Sequence, residues 1–300
     1  MISLFVISLI THLVLINKTP PAMTGDELAI AYNGYSLWHY GYDEHGARFP
    51  LSFKSFGDYK LPLAMYLLAP IVGTWGINVW TVKLPIAILS SFTAIVLALL
   101  VEELYKGKEK SKAAFWCGLA LALSPWYIHF SRGAWEASLG VLFSLLGGYW
   151  LIIGKRKSIY LFFAAIVWSL AMYTYHSPRV TVPILAVGIF IFEYINIFSS
   201  GKLKVQFNDS FNWKNFIGPV ILGLILLFPV AKQMIGVQGQ ARIIGSSITY
   251  YWGEPTYLLK LHDNEIRSHE LDTAMFFRPF MFLNDAFTKF LAYISPAQLA

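Results

Sequence analysis

The stretch MISLFVISLITHLVLIN (residues 1–17) followed by KTPPAMTGDE (residues 18–27) decides how the rest of the chain is read. The first seventeen positions hold no Asp, Glu, Lys or Arg, so the segment can enter a bilayer. The chain then turns polar at Lys18, breaks at Pro20-Pro21 and presents the carboxylates of Asp26 and Glu27. An ionised Asp at the bilayer centre costs about 2.5–3.5 kcal/mol on insertion scales. Two adjacent acids therefore belong at the water interface, near lipid head groups. The segment lacks a basic leader and a small-x-small cleavage site, so it reads as an uncleaved anchor rather than a secretory signal.

Composition extends that reading to the whole chain. Of 300 residues, 56% are hydrophobic, 17% aromatic and 13% charged. A soluble domain carries about 25% charge, so this composition points to a polytopic membrane protein. Its net charge of +6 does not imply nucleic acid, because much of the Lys and Arg falls in short runs between apolar segments. Cys117 is the sole cysteine, which excludes an intrachain disulfide.

A spanning helix needs about 20 mostly apolar residues. Candidate spans are 1–17, 78–101, 113–130, 134–153, 159–175, 180–198 and 216–231. Three connecting loops are basic: 102–112 with Lys106, Lys108, Lys110 and Lys112; 154–158 with Lys155, Arg156 and Lys157; and 199–215 with Lys202, Lys204 and Lys214. The positive-inside rule makes them cytoplasmic. The opposite face then receives the loop around Arg132 and Glu136, the loop around Tyr175, His176 and Arg179, and the region after about residue 232. Segment 61–76 is apolar, but counting it as a span would invert every later loop, and it carries Pro62, Pro70, Gly73 and Gly76. It is expected to lie in the outer interface within one long first external loop, about 18–77. In that loop Leu28, Ala31, Tyr35 and Trp38 recur at helical spacing, so residues 26–40 read as an interfacial helix with Asp26 at its N-terminus.

The fold expected is an all-α transmembrane helix bundle over 1–232, with interfacial helices in its first external loop, followed by an external region over 233–300. The outer face collects ionisable groups. Asp26 is a candidate base, with Glu27 beside it. Arg132 and Glu136 stand four residues apart, on one face if helical, and a local salt bridge is their plainer reading. Lys60 precedes Leu-Pro-Leu and has a snorkelling role as its plainer reading. His176 sits between Tyr175 and Ser177-Pro178, where capping a span is the plainer role. Together they suit transfer from a lipid phosphate: a leaving phosphate needs fixed positive charge, here Arg132 and Lys60, and an attacking hydroxyl needs a base, here Asp26. One base without a covalent carboxylate predicts inversion at the sugar carbon. His262, Asp263, Glu265, His269 and Glu270 crowd one stretch without a metal-binding spacing, so no metal site is expected. Neither a Walker motif nor a dinucleotide-binding glycine pattern occurs, and no cofactor is expected.

These landmarks resemble the GT-C superfamily of membrane glycosyltransferases, family 39 type, which includes protein O-mannosyltransferases and aminoarabinose transferases. The residues that carry the resemblance are Gly25-Asp26-Glu27, Gly57-Asp58-Tyr59-Lys60-Leu61-Pro62-Leu63, Ser124-Pro125-Trp126 leading to Ser131-Arg132, and Tyr173-Thr174-Tyr175-His176 with Pro178-Arg179. The resemblance implies a polyprenyl-phosphate-linked monosaccharide donor and an outward-facing site in the cell membrane. It implies Asp26 as base beside Glu27, with Lys60, Arg132, Glu136, Tyr175, His176 and Arg179 binding substrate. The acceptor would be a lipid, glycan or protein. Where oligosaccharyltransferases have an Asp-x-Asp-like metal pair, this chain has only Glu136. Family members commonly have eleven or more spans, which implies a longer C-terminal part beyond residue 300. A secondary transporter and a non-catalytic membrane scaffold are the alternatives; the collection of charge at one face and the lack of an internal repeat weigh against transport.

Overall fold

The computed structural model describes residues 1–20, 22–55, 58–199, 202–207 and 212–235. Within them the chain is almost entirely helical. In order it forms α1 (Ile2–Leu13), α2 (Gly25–Tyr40), the strands β1 (Phe53–Ser55) and β2 (Asp58–Lys60), then α3 (Leu63–Trp75), α4 (Val79–Ser91), α5 (Thr93–Leu104) and α6 (Lys110–Ala122). It continues with α7 (Pro125–Arg132), α8 (Glu136–Ile153), α9 (Ile159–Thr174), α10 (Pro178–Tyr194), β3 (Ile195–Ser199), β4 (Lys202–Phe207) and α11 (Lys214–Ile235). Each strand pair is a two-stranded antiparallel hairpin.

Local chemistry sets the helix ends near the first loop. Thr24 and Glu27 form a capping box at the start of α2: the Glu27 amide donates to Thr24 Oγ1 at 3.3 Å and the Thr24 amide donates to Glu27 Oε2 at 2.6 Å. Gly41 ends the helix with a φ of 74°, a conformation that glycine adopts without Cβ strain. Asn78 caps α4 by accepting from the amides of Trp80 and Thr81. α4 and α5 run on through Phe92, giving one apolar length over Val79–Leu104.

Among the described residues, three helical lengths are long and apolar enough to cross a membrane: Val79–Leu104, Glu136–Ile153 and Lys214–Lys232. Segment 113–130 is not one straight rod. Ser124 caps a new helix with Pro125 in its first turn, and α6 and α7 meet at 55°. Segment 180–198 is helical only to Tyr194, after which Ile195–Ser199 pairs with β4; its β-branched and aromatic residues suit a strand. α1 rises only about 18 Å and α3 only about 20 Å at 1.5 Å per residue, short of a hydrocarbon core of about 30 Å.

α3 lies along α2, with α8 against α9 and α5 against α6. Ile30, Leu37, Phe53, Met65, Leu68, Val82 and Leu139 form one core joining α2, β1, α3, α4 and α8. At Gly34 an added Cβ would sit 3.1 Å from the Met65 carbonyl oxygen, so glycine there lets α2 and α3 approach backbone to backbone. The core thus takes in α2, whose first turn holds Asp26 and Glu27.

Candidate functional site

Asp26 occupies the second position of α2, where the helix dipole favours a carboxylate. Lys60 is the last residue of β2, paired across the hairpin with the fully buried Phe53. That pairing brings Lys60 to Asp26, with Nζ and Oδ1 2.9 Å apart. The Lys60 side chain is 14% exposed and that of Asp26 54%, so the pair sits at a rim, the cation inward and the acid reaching solvent. Glu136, only 6% exposed, begins α8 and feels the charges of both Lys60 and Asp26.

The segment between α9 and α10 reaches the same hairpin. His176, between α9 and α10, donates from Nε2 to the carbonyl of Tyr59, the neighbour of Lys60, at 3.2 Å. Burial of this imidazole holds its pKa below the ordinary 6.5; the Tyr59 hydrogen bond opposes that shift and nearby Arg179 adds to it. Tyr175 packs edge-on to His176 with ring centroids 6.2 Å apart. Arg179, in the first turn of α10, donates through Nε to the Met172 carbonyl at 3.4 Å. Its Nη2 is buried with no hydrogen-bond partner among the described residues.

An apolar cavity of about 520 Å³ lies among α9, α10 and α11, with Trp168, Met172, Val182, Pro183, Phe216 and Val220 in its wall; Met172, whose carbonyl takes Arg179 Nε, is its link to that arginine.

Two sequence expectations meet a different geometry. Arg132 and Glu136 do not share a helix face, because α7 stops at Arg132 and Ala134 turns the chain with φ 51° before α8 begins. Arg132 instead donates Nε and Nη2 to the Thr11 carbonyl, at 3.1 and 2.5 Å, fastening α7 to the end of α1. Glu27 points into the protein, fully buried and 3.6 Å from Lys83 Nζ. Sequence reading missed Lys83. The signal was present: it is the one charged side chain in segment 78–101.

Charge at the far end of the bundle is of another kind. Lys155 and Lys106 both pair with Glu193, and Arg156 pairs with Glu103 at 2.7 Å. Loops 105–109 and 154–158 thus meet at one place. α8 separates that place from Glu136 by about 27 Å, from its 18 residues at 1.5 Å each. The cluster of His and acids at 262–270 lies outside the described residues. Among those described, no group of three or more His, Cys, Asp or Glu could hold a metal ion.

Comparison of the chain with family models, curated proteins and solved structures returns no match. The functional reading therefore rests on these side chains.

Proposed function

We propose that this chain is a multi-pass membrane glycosyltransferase of GT-C type, with its site at the extracytoplasmic face. It would move a monosaccharide from a polyprenyl phosphate to an acceptor hydroxyl. The observation that carries the reading is the Asp26–Lys60 ion pair at 2.9 Å, with Glu136 beside it, His176 on the segment that reaches the hairpin and Arg179 in the first turn of α10. An exposed base held against a sheltered cation is what phosphate displacement needs.

In the resting state Lys60 neutralises Asp26. A donor phosphate would compete for the ammonium, and Arg179, whose buried Nη2 has no hydrogen-bond partner among the described residues, would serve as a second cation for that anion. Asp26 is then free to accept the proton of the acceptor hydroxyl as that oxygen bonds to the anomeric carbon. The bond from that carbon to the phosphate oxygen breaks, its electron pair leaving with the polyprenyl phosphate, and the configuration inverts. The isoprenoid tail would lie in the apolar cavity among α9, α10 and α11. Glu27 serves by holding the start of α2. The basic loops at the far end would face the cytoplasm, and the length of α8 between them and Glu136, about 27 Å, is close to a hydrocarbon core of about 30 Å.

The test compares envelope glycans and lipids by mass spectrometry in cells with the intact gene, without it, and with Asp26→Asn. Loss of one hexose, pentose or amino-sugar from a defined species in both altered strains is expected. An identical glycan and lipid profile would defeat the reading.

The 55° break between α6 and α7 favours a second reading, a secondary transporter, because broken helices often line substrate sites at mid-membrane. Substrate uptake by vesicles holding the purified chain, unaffected by Asp26→Asn, would favour it.

A further inference from the structure

A lysine inside a candidate span is costly to keep, and Lys83 is fully buried. Its Nζ donates to the carbonyls of Pro20 at 3.1 Å and Ala22 at 2.8 Å, and lies 3.6 Å from Glu27 Oε1. Glu27 is fully buried too. Its Oε2 takes the Thr24 amide, while Oε1 accepts no hydrogen bond among the described residues. Stability does not explain such a pair, because desolvation offsets most of the Coulomb attraction, and an apolar replacement is often neutral or better. What the pair does achieve is geometric. One ammonium gathers three points of a single short segment, two before Asp26 and one after it.

We propose that Lys83 is a positioning residue for Asp26, an inference that rests on reading Asp26 as the base. Successive helical residues are turned by about 100°. With Glu27 locked inward by Lys83 and Thr24, Asp26 is turned away from that buried pair toward Lys60. Tethering Pro20 and Ala22 fixes where α2 begins, and so how far Asp26 stands from the hairpin. The local sequence cannot do this alone, because the capping box sets the helix start but not its height against α4.

The test reads geometry without any substrate. In a full chain carrying Cys117→Ser, the pair Asp26→Cys and Lys60→Cys is crosslinked with a short bis-methanethiosulfonate. Lys83→Met is then added alone, and together with Glu27→Gln. The double change removes both buried charges, so it recovers the thermal stability that the single change loses. Crosslink yield is expected to fall by about tenfold in both, as ångström-scale misplacement does to reacting groups. In the native Asp26 and Lys60 background, Lys83→Met should lower kcat for transfer from a polyprenyl-phosphate hexose and leave KM for that donor unchanged. Unchanged crosslinking in the double variant overturns the proposal. So does failure of both variants to fold, since Lys83 would then act on the whole fold rather than on Asp26. Absence of transfer in the parent chain defeats the transferase reading instead, and the crosslinking result stands apart from it.

Discussion

Asp26 and Lys60, the pair proposed to act on substrate, need supply little stability. With the acid more than half exposed, solvent screening leaves the pair worth under about 1 kcal/mol. Asp26→Asn is therefore expected to leave thermal unfolding almost unmoved, while cutting transfer by about 10²–10⁴-fold, the usual worth of a general base. A large fall in unfolding temperature would mean that Asp26 is structural. His176 predicts a pH effect whose sign follows from its lowered pKa. An unfolded chain takes up this proton near pH 6.5, whereas the folded imidazole resists it. Its contribution is complete above pH 6.5 and declines as pH falls through the lower, folded value. Below that value it stays flat. Unfolding measured from neutral to acid pH should show the gap between the native chain and His176→Gln narrowing in that window. A constant gap would mean that burial does not perturb this histidine.

Elements place these residues through their ends. Thr24→Ala removes the acceptor for the Glu27 amide and should cost about 1 kcal/mol, as lost N-caps do. Gly34→Ala tests the approach of α2 to α3. The new Cβ meets backbone atoms at 3.1 Å and 3.3 Å, and main chain cannot step aside as a side chain would. A loss of about 1–3 kcal/mol is expected, typical of overpacking, read as a lower unfolding temperature of the solubilised protein. The Arg132–Glu136 spacing shows where periodicity misleads: four residues mean one face only if the helix continues, and Ala134 interrupts it.

Across the molecule, Asp26, Lys60 and His176 gather at one end, and Lys106, Lys155, Arg156, Glu103 and Glu193 at the other. Single cysteines placed in a Cys117→Ser background test the orientation. Arg48→Cys should react with a membrane-impermeant maleimide in intact cells, and Lys157→Cys only after permeabilisation. The reverse pattern would put the Asp26 site in the cytoplasm.

Sequence alone determined the helical character and the helix over 26–40 with Asp26 in its first turn. These follow from apolar run length and from caps, which act between near neighbours. Tertiary structure alone decided that Lys60 meets Asp26, that Glu27 turns inward to Lys83, and that Arg132 binds Thr11. Each joins residues far apart in the chain, and no local pattern encodes which distant helix end will deliver a carbonyl or a charge.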